Sequence, residues 1–149
     1  MRIVSVSENQ KIEKRIAITP DIAKKYLALG FEVTIVEKYG EHLGFKDNDY
    51  KELGVEISNN EDEILSSGDV IVQLGLLSDK NLLHLKENQI LVGMLNPYNN
   101  KEKIENLSKK NINIFSLEIL PRITRAQSMD VLSSQANLAG YKAVIESFA

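Results

Sequence analysis

Short apolar runs alternate along this chain with stretches whose apolar positions recur every three or four residues, a pattern that predicts strands joined by helices. Residues 2–7 hold Ile3, Val4 and Val6 and read as a buried strand. After a polar loop, Thr19-Pro20-Asp21 offers a cap, a proline for the first helical position and an acid for the first turn, so a helix is predicted there with Ile22, Tyr26 and Leu29 inward. Gly30 falls where a left-handed terminator belongs, and residues 31–36 read as the second strand. Residues 40–46 read as loop, Asp47 as the cap of a short helix ending near Gly54, and residues 55–57 as a minor strand. Asn60 caps a further short helix that stops at Gly68, and the DVIVQL run makes the third substantial strand. Residues 79–86 predict a short helix carrying Leu82, Leu83 and Leu85, followed by the ILVGML strand from Ile90, which Asn96-Pro97 breaks. Residues 101–109 predict a helix with Ile104 and Leu107 inward, and INIFSL from Ile112 is the last strand.

Strands alternating with helices at short connections mean an α/β fold: a doubly wound parallel sheet, Rossmann- or flavodoxin-like, with helices on both faces. Ligands in such sheets sit beyond the carboxyl ends of the strands. The last strand delivers residues 118–120, and then a loop carrying Arg122 and Arg125, to that edge. A helix is predicted from about Ser128, with Met129, Leu132, Ala136, Ala139 and Ala143 on a buried face. Gln127, Asp130, Ser134, Asn137 and Tyr141 form a second stripe, polar yet nearly uncharged, which suits hydrogen bonding to something other than water. Two cations beside a helix N-terminus make an anion or phosphate seat.

Plainer roles compete for the same residues. Thr124 and Gln127 fit a capping box, Asp130 fits the favourable charge of a helix start, and Ser133 fits a bond back to the preceding turn. Arg122 fits an ordinary surface cation, while Asn137 and Tyr141 fit buried contacts that position the loop.

Composition narrows the function classes. With 149 residues, 43% hydrophobic and 26% charged, the chain suits one well-cored domain. A net charge of -3, with lysines interspersed among acids, gives no reason to expect DNA or RNA. The absence of cysteine excludes disulfides, thiolate metal sites and thiol catalysis. No apolar run approaches the roughly 20 residues that cross a bilayer, and the start lacks an apolar signal core, so a cytoplasmic location is expected. His42 and His84 do not make a metal site, even with Glu87 one turn beyond His84. Neither GxGxxG nor GxxxxGK occurs.

The string PRITRAQSMDVLSSQANLAGYKAVI, from Pro121, resembles the signature of the alpha subunit of proton-translocating NAD(P) transhydrogenases, relatives of alanine dehydrogenase. That family's Arg, Gln, Asp and Ser, spaced by five, three and three, land here on Arg122, Gln127, Asp130 and Ser133. The resemblance implies that Arg122, Arg125, Gln127, Ser128, Asp130 and Ser133 bind NAD(H), with Gln127 and Asp130 aligning the nicotinamide for hydride transfer and no protein acid or base required. It further implies NADP on a partner subunit, a beta subunit and membrane-spanning portion that couple the reaction to proton movement, a homodimer of alpha subunits, and a peripheral position on the inner face of the plasma membrane. Residues 1–149 correspond to the family's N-terminal lobe, with a linking helix from about 128 to 149 leading toward a second lobe. That lobe carries the glycine-rich NAD-binding turn and is absent from this chain, so little or no NADH affinity or activity is expected of the chain alone. The ending VIESFA reads as an interrupted helix.

EKRIAITP, from Glu13, resembles a segment shared with alanine dehydrogenases, in which the arginine matched by Arg15 helps hold the substrate carboxylate. Those enzymes carry a lysine where this chain has Gln73 and a histidine where it has Asn96. An alanine dehydrogenase-like domain is therefore a disfavoured alternative, Arg15 reverts to a structural or loop role, a noncatalytic subunit-interaction module is a second, and a receiver-type signalling domain, which lacks its acidic pair and lysine at strand ends here, is the last.

Overall fold

The N-terminal apolar run forms β1 (Arg2–Ser5), and in a computed structural model that describes residues 1–148 it lies inside the sheet. Thr19 caps α1 (Pro20–Ala28), its side chain accepting from the Ile22 N–H, and Gly30 follows at φ +84° before β2 (Glu32–Val36). The chain continues through α2 (Asp47–Lys51), β3 (Glu56–Ser58), α3 (Glu61–Ser67), β4 (Val70–Val72) and α4 (Asp79–Leu82). It ends with β5 (Ile90–Gly93), α5 (Lys101–Lys109), β6 (Asn113–Ser116) and α6 (Val131–Ser147).

Six parallel strands stand in the order β3-β2-β1-β4-β5-β6. Val4 of β1 pairs with Thr34 of β2 on one side and Ile71 of β4 on the other. Right-handed crossovers put α1 and α2 on one face and α3, α4 and α5 on the other, in keeping with the contacts of α1 with α2 and of α3 with α4. Both faces are therefore covered, and β1, β2 and β4 are apolar runs rather than strict alternations: Val4, Ile35, Ile71 and Leu91 lose essentially all exposure to water. The strand order reverses between β1 and β4, which opens a crevice at their carboxyl ends.

Several expectations fail locally, among them Asp47 as a cap: it is the first residue of α2, and Lys46 is the N-cap. Leu29 and Leu83 are each 72% exposed. Both are C-caps, one step past the last helical residue, where the chain turns away from the face that buries Ala23 and Leu82. The apolar face of the last helix also fails. Met129, Leu132, Ala136, Ala139 and Ala143 are exposed, and no side chain of α6 is buried among the described residues. Residues 124–129 wind as a 3-10 turn of three residues per turn, so the phase of a continuous α-helix does not carry through them, and the helix proper starts at Val131. Its inward positions are Val131 and Gln135, one turn apart and half-buried. Asn137 and Tyr141 project outward, Tyr141 at 70% exposure, so neither is a buried contact. Ala149, the end of the VIESFA string, lies outside the described residues.

Candidate functional site

β6 ends at Ser116 and passes into a 3-10 turn, Leu117–Ile119, that aims the following loop at the carboxyl edge of the sheet. Glu118 holds this exit. One carboxylate oxygen accepts from the Asn96 N–H after β5, and the other accepts from Ser116 Oγ at 2.6 Å, so the ends of two neighbouring strands are clasped by one side chain. The loop then folds on itself, with the Ile123 N–H donating to the Pro121 carbonyl and the Ala126 N–H to the Ile123 carbonyl, both at 2.9 Å. Ala126 is buried beneath the turn and leaves its polar neighbours facing out.

Asp130 ends the turn and starts α6. Its backbone is extended (φ -75°, ψ 90°), and its carboxylate accepts from the Ser133 N–H at 3.0 Å and Ser133 Oγ at 2.6 Å. Asp130 is thus the cap of α6, and Thr124 and Gln127 do not form the capping box: the 3-10 turn has no side-chain cap. The hydrogen bonds from Ser133, followed by the charge of Arg122, hold the Asp130 carboxyl below its usual pKa. Asp130 is accordingly an anion at neutral pH, with Arg122 close enough to be felt.

Arg122, Gln127 and Asp130 line one pocket of about 340 Å³, floored by Leu120, Ala126 and Leu132. Ser128 and Ser133 line an adjoining depression that shares Gln127 and Asp130. Arg125 is exposed and lines neither. The pocket offers a guanidinium, a carboxamide and a carboxylate beside apolar side chains, a mixed set of hydrogen-bond donors and acceptors.

A wider cleft of about 750 Å³ opens over the ends of β1, β4 and β5, at the point where the strand order reverses. Gln73 sits at its floor, 3% exposed, with both its amide oxygen and its amide nitrogen hydrogen-bonded. Its Oε1 accepts from Ser5 Oγ (2.6 Å) and the Val6 N–H (3.1 Å), and its Nε2 donates to the Val6 carbonyl (3.2 Å). The Tyr39 hydroxyl accepts from the amides of Ala17 and Ile18 and stands 2.7 Å from Ser5 Oγ. Because the serine proton goes to Gln73, the tyrosine proton must go to Ser5, and every group in the chain of bonds is satisfied. Glu8, at the rim, accepts from the Leu74 N–H at 2.6 Å, and burial raises its pKa against that bond. Asn96 spends its backbone on a left-handed turn (φ +48°). Sequence reasoning missed Glu8, Tyr39 and Glu118 because their partners are backbone groups and side chains brought together only by folding.

Arg15 grips Glu13 through Nε and Nη2, at 2.8 and 2.7 Å, and reaches Gln135 of α6 through Nη1 at 2.6 Å. His42 Nε2 donates to the Lys14 carbonyl while Nδ1 accepts from Gln10, and His84 pairs with Asp62 rather than Glu87. Among the described residues no group of three acidic or histidine side chains is placed to hold a metal, and no helix is long and apolar enough to cross a membrane.

The family described as the alanine dehydrogenase/PNT N-terminal domain matches residues 5–139. An NAD(P) transhydrogenase alpha subunit of Rickettsia prowazekii is 45% identical over 98% of the chain, which spans 39% of that protein's length. Among solved structures, a transhydrogenase from Sinorhizobium meliloti superimposes with a TM-score of 0.88 and 35% identity, over 97% of this chain and 43% of its own. An L-alanine dehydrogenase shares the fold with a TM-score of 0.74 at 21% identity, over 79% of this chain and 32% of its own.

Proposed function

Because the chain belongs to the alanine dehydrogenase/PNT N-terminal domain family, we propose that it contributes to the NAD(H)-binding component of an NAD(P) transhydrogenase. In that reading, hydride passes between NADH and NADP, with NADP held by a partner subunit and the reaction coupled to proton movement through membrane-spanning subunits. Residues 1–149 serve as the N-terminal lobe, α6 leads toward a glycine-rich second lobe, and two alpha subunits pair at the inner face of the plasma membrane. The observation that carries the reading is the convergence of Arg122, Gln127 and Asp130 on one pocket at the exit of β6.

The residues fit the nicotinamide end of the cofactor. Gln127 is exposed, belongs to no cap, and can donate to and accept from a carboxamide at once. Asp130, ionised and fixed by Ser133, offers its remaining acceptor capacity to a ribose hydroxyl or amide, and Arg122 balances its charge. Bound NADH supplies the hydride. The chain's own contribution is alignment and water exclusion by the loop's apolar floor, so no side chain needs to take or give a proton. Arg125 and Ser128 lie at the periphery and serve approach and loop shape. The fixed amide of Gln73 argues against the alanine dehydrogenase reaction, which calls for an acid or base at the cleft floor.

Titration of the chain with nicotinamide mononucleotide, followed by NMR, tests this reading. Shifts should concentrate at Arg122, Gln127, Asp130 and Ser133 and be absent with AMP. Shifts confined to the cleft over β1 and β4 would sink it.

A further inference from the structure

We infer that Arg15 is a positioning residue, a strut between the loop after β1 and α6 that sets the geometry of the pocket at residues 121–130. Its functional weight rests on the nicotinamide reading above, but its geometry stands apart from it. α6 has little else to fix its direction. No side chain of it is buried, its inward positions are Val131 and Gln135, and it touches the body at the Leu117–Ile119 turn. From the far side of the chain, 120 residues earlier, Arg15 Nη1 donates to Gln135 Oε1 at 2.6 Å.

The guanidinium is prepared for this. Glu13 accepts from both Nε and Nη2, and a bidentate grip on two corners of a planar group leaves its third corner aimed in one direction. The Glu13 carboxylate also accepts from the Arg15 N–H at 2.9 Å, so the carboxylate is itself tied to the loop it serves. That bonding lowers the Glu13 pKa and raises that of Arg15, so both charges persist across the neutral range. The effect then passes along the helix. Gln135 lies five residues beyond Asp130, whose carboxylate caps α6 and lines the pocket beside Gln127. A tilt of α6 about its first turn therefore moves Asp130 and Ser133 relative to Arg122, and Arg15 spends three of its five N–H donors on these bonds within the chain.

The chain lacks cysteine, so Lys24→Cys in α1 and Ala139→Cys in α6 give a cleanly double-labelled protein for electron paramagnetic resonance distance measurement. A single narrow distance distribution is expected. Arg15→Gln and Glu13→Gln should each broaden it about twofold or shift its mean, Arg15→Lys should behave like Arg15→Gln because an ammonium lacks the fork, and Gln135→Glu should keep it narrow. Gln135→Ala, at a half-buried helix position, makes the same test should an Arg15 variant fail to fold. Unchanged distributions in Arg15→Gln, Glu13→Gln and Gln135→Ala overturn the proposal. In the assembled transhydrogenase, Arg15→Gln should lower kcat about tenfold or more with KM for NADH nearly unmoved. Broadening without any loss of kcat would leave the strut standing and refute the nicotinamide role of the pocket.

Discussion

Ser5 Oγ donates to Gln73 Oε1 across 2.6 Å, joining the carboxyl ends of β1 and β4 where their following loops diverge. This bond and those to Val6 close the floor of the wider cleft with buried groups. Gln73→Leu matches the side chain in size but removes the acceptor for the Ser5 hydroxyl proton and the partner of both backbone groups of Val6. A loss of about 2–4 kcal/mol is expected in urea unfolding. A loss below about 1 kcal/mol would mean that these groups find water instead.

Glu8 predicts a pH dependence of opposite sign to the usual acid unfolding. Its folded pKa is raised, chiefly by burial, so the folded state binds the proton more tightly than the unfolded one. Its contribution to stability is full below the unfolded value near 4.5 and is lost as pH rises through the folded value. Glu8→Gln keeps an oxygen for the Leu74 N–H without the buried charge, so it should stabilise the chain at pH 7 and lose that advantage at acid pH. Unfolding midpoints of the two proteins across that range check the sign.

Gly93 sits where β5 presses on β4, and a Cβ there would lie 2.4 Å from the Gln73 carbonyl oxygen. That oxygen belongs to backbone and cannot swing aside. Gly93→Ala should cost about 3 kcal/mol and lower the midpoint of thermal unfolding, because the two strands must move apart at the end that builds the cleft.

Asp130 links the shape of α6 to acidity. Its folded pKa is depressed by Ser133 first and Arg122 after, so its stabilising effect is present above the unfolded value near 3.8 and disappears as pH falls through the folded one. Far-ultraviolet circular dichroism should show helix lost in that acid range. Asp130→Ala should show the loss already at neutral pH, and Asp130→Asn, which still accepts from the Ser133 N–H, should not.

The strands and the first five helices were legible because their signals are local. Thr19-Pro20, Asn60 and Gly30 act within one turn, and runs such as residues 70–72 are apolar because both faces of the sheet are covered. Arg122, Gln127, Asp130 and Ser133 were singled out together by the family resemblance, and folding brings three of the four to one pocket. What resisted reading was the phase of α6. A periodic row of Met129, Leu132 and Ala136 looks the same whether or not a surface lies opposite, and the change from 3-10 turn to α-helix at Asp130 leaves no mark in hydrophobicity. Glu118 and Tyr39 were invisible for a related reason: a hydrogen bond between distant segments has no sequence period.

A helix of 17 residues that buries no side chain adds little packing to the cooperative unit to which it is attached. Most of the packing enthalpy belongs to the sheet and the helices packed on it, whereas α6 contributes spectroscopic helix with little packing behind it. The two readouts should therefore disagree on heating, ellipticity falling first and the calorimetric peak following. The gap between them measures how firmly α6 is moored.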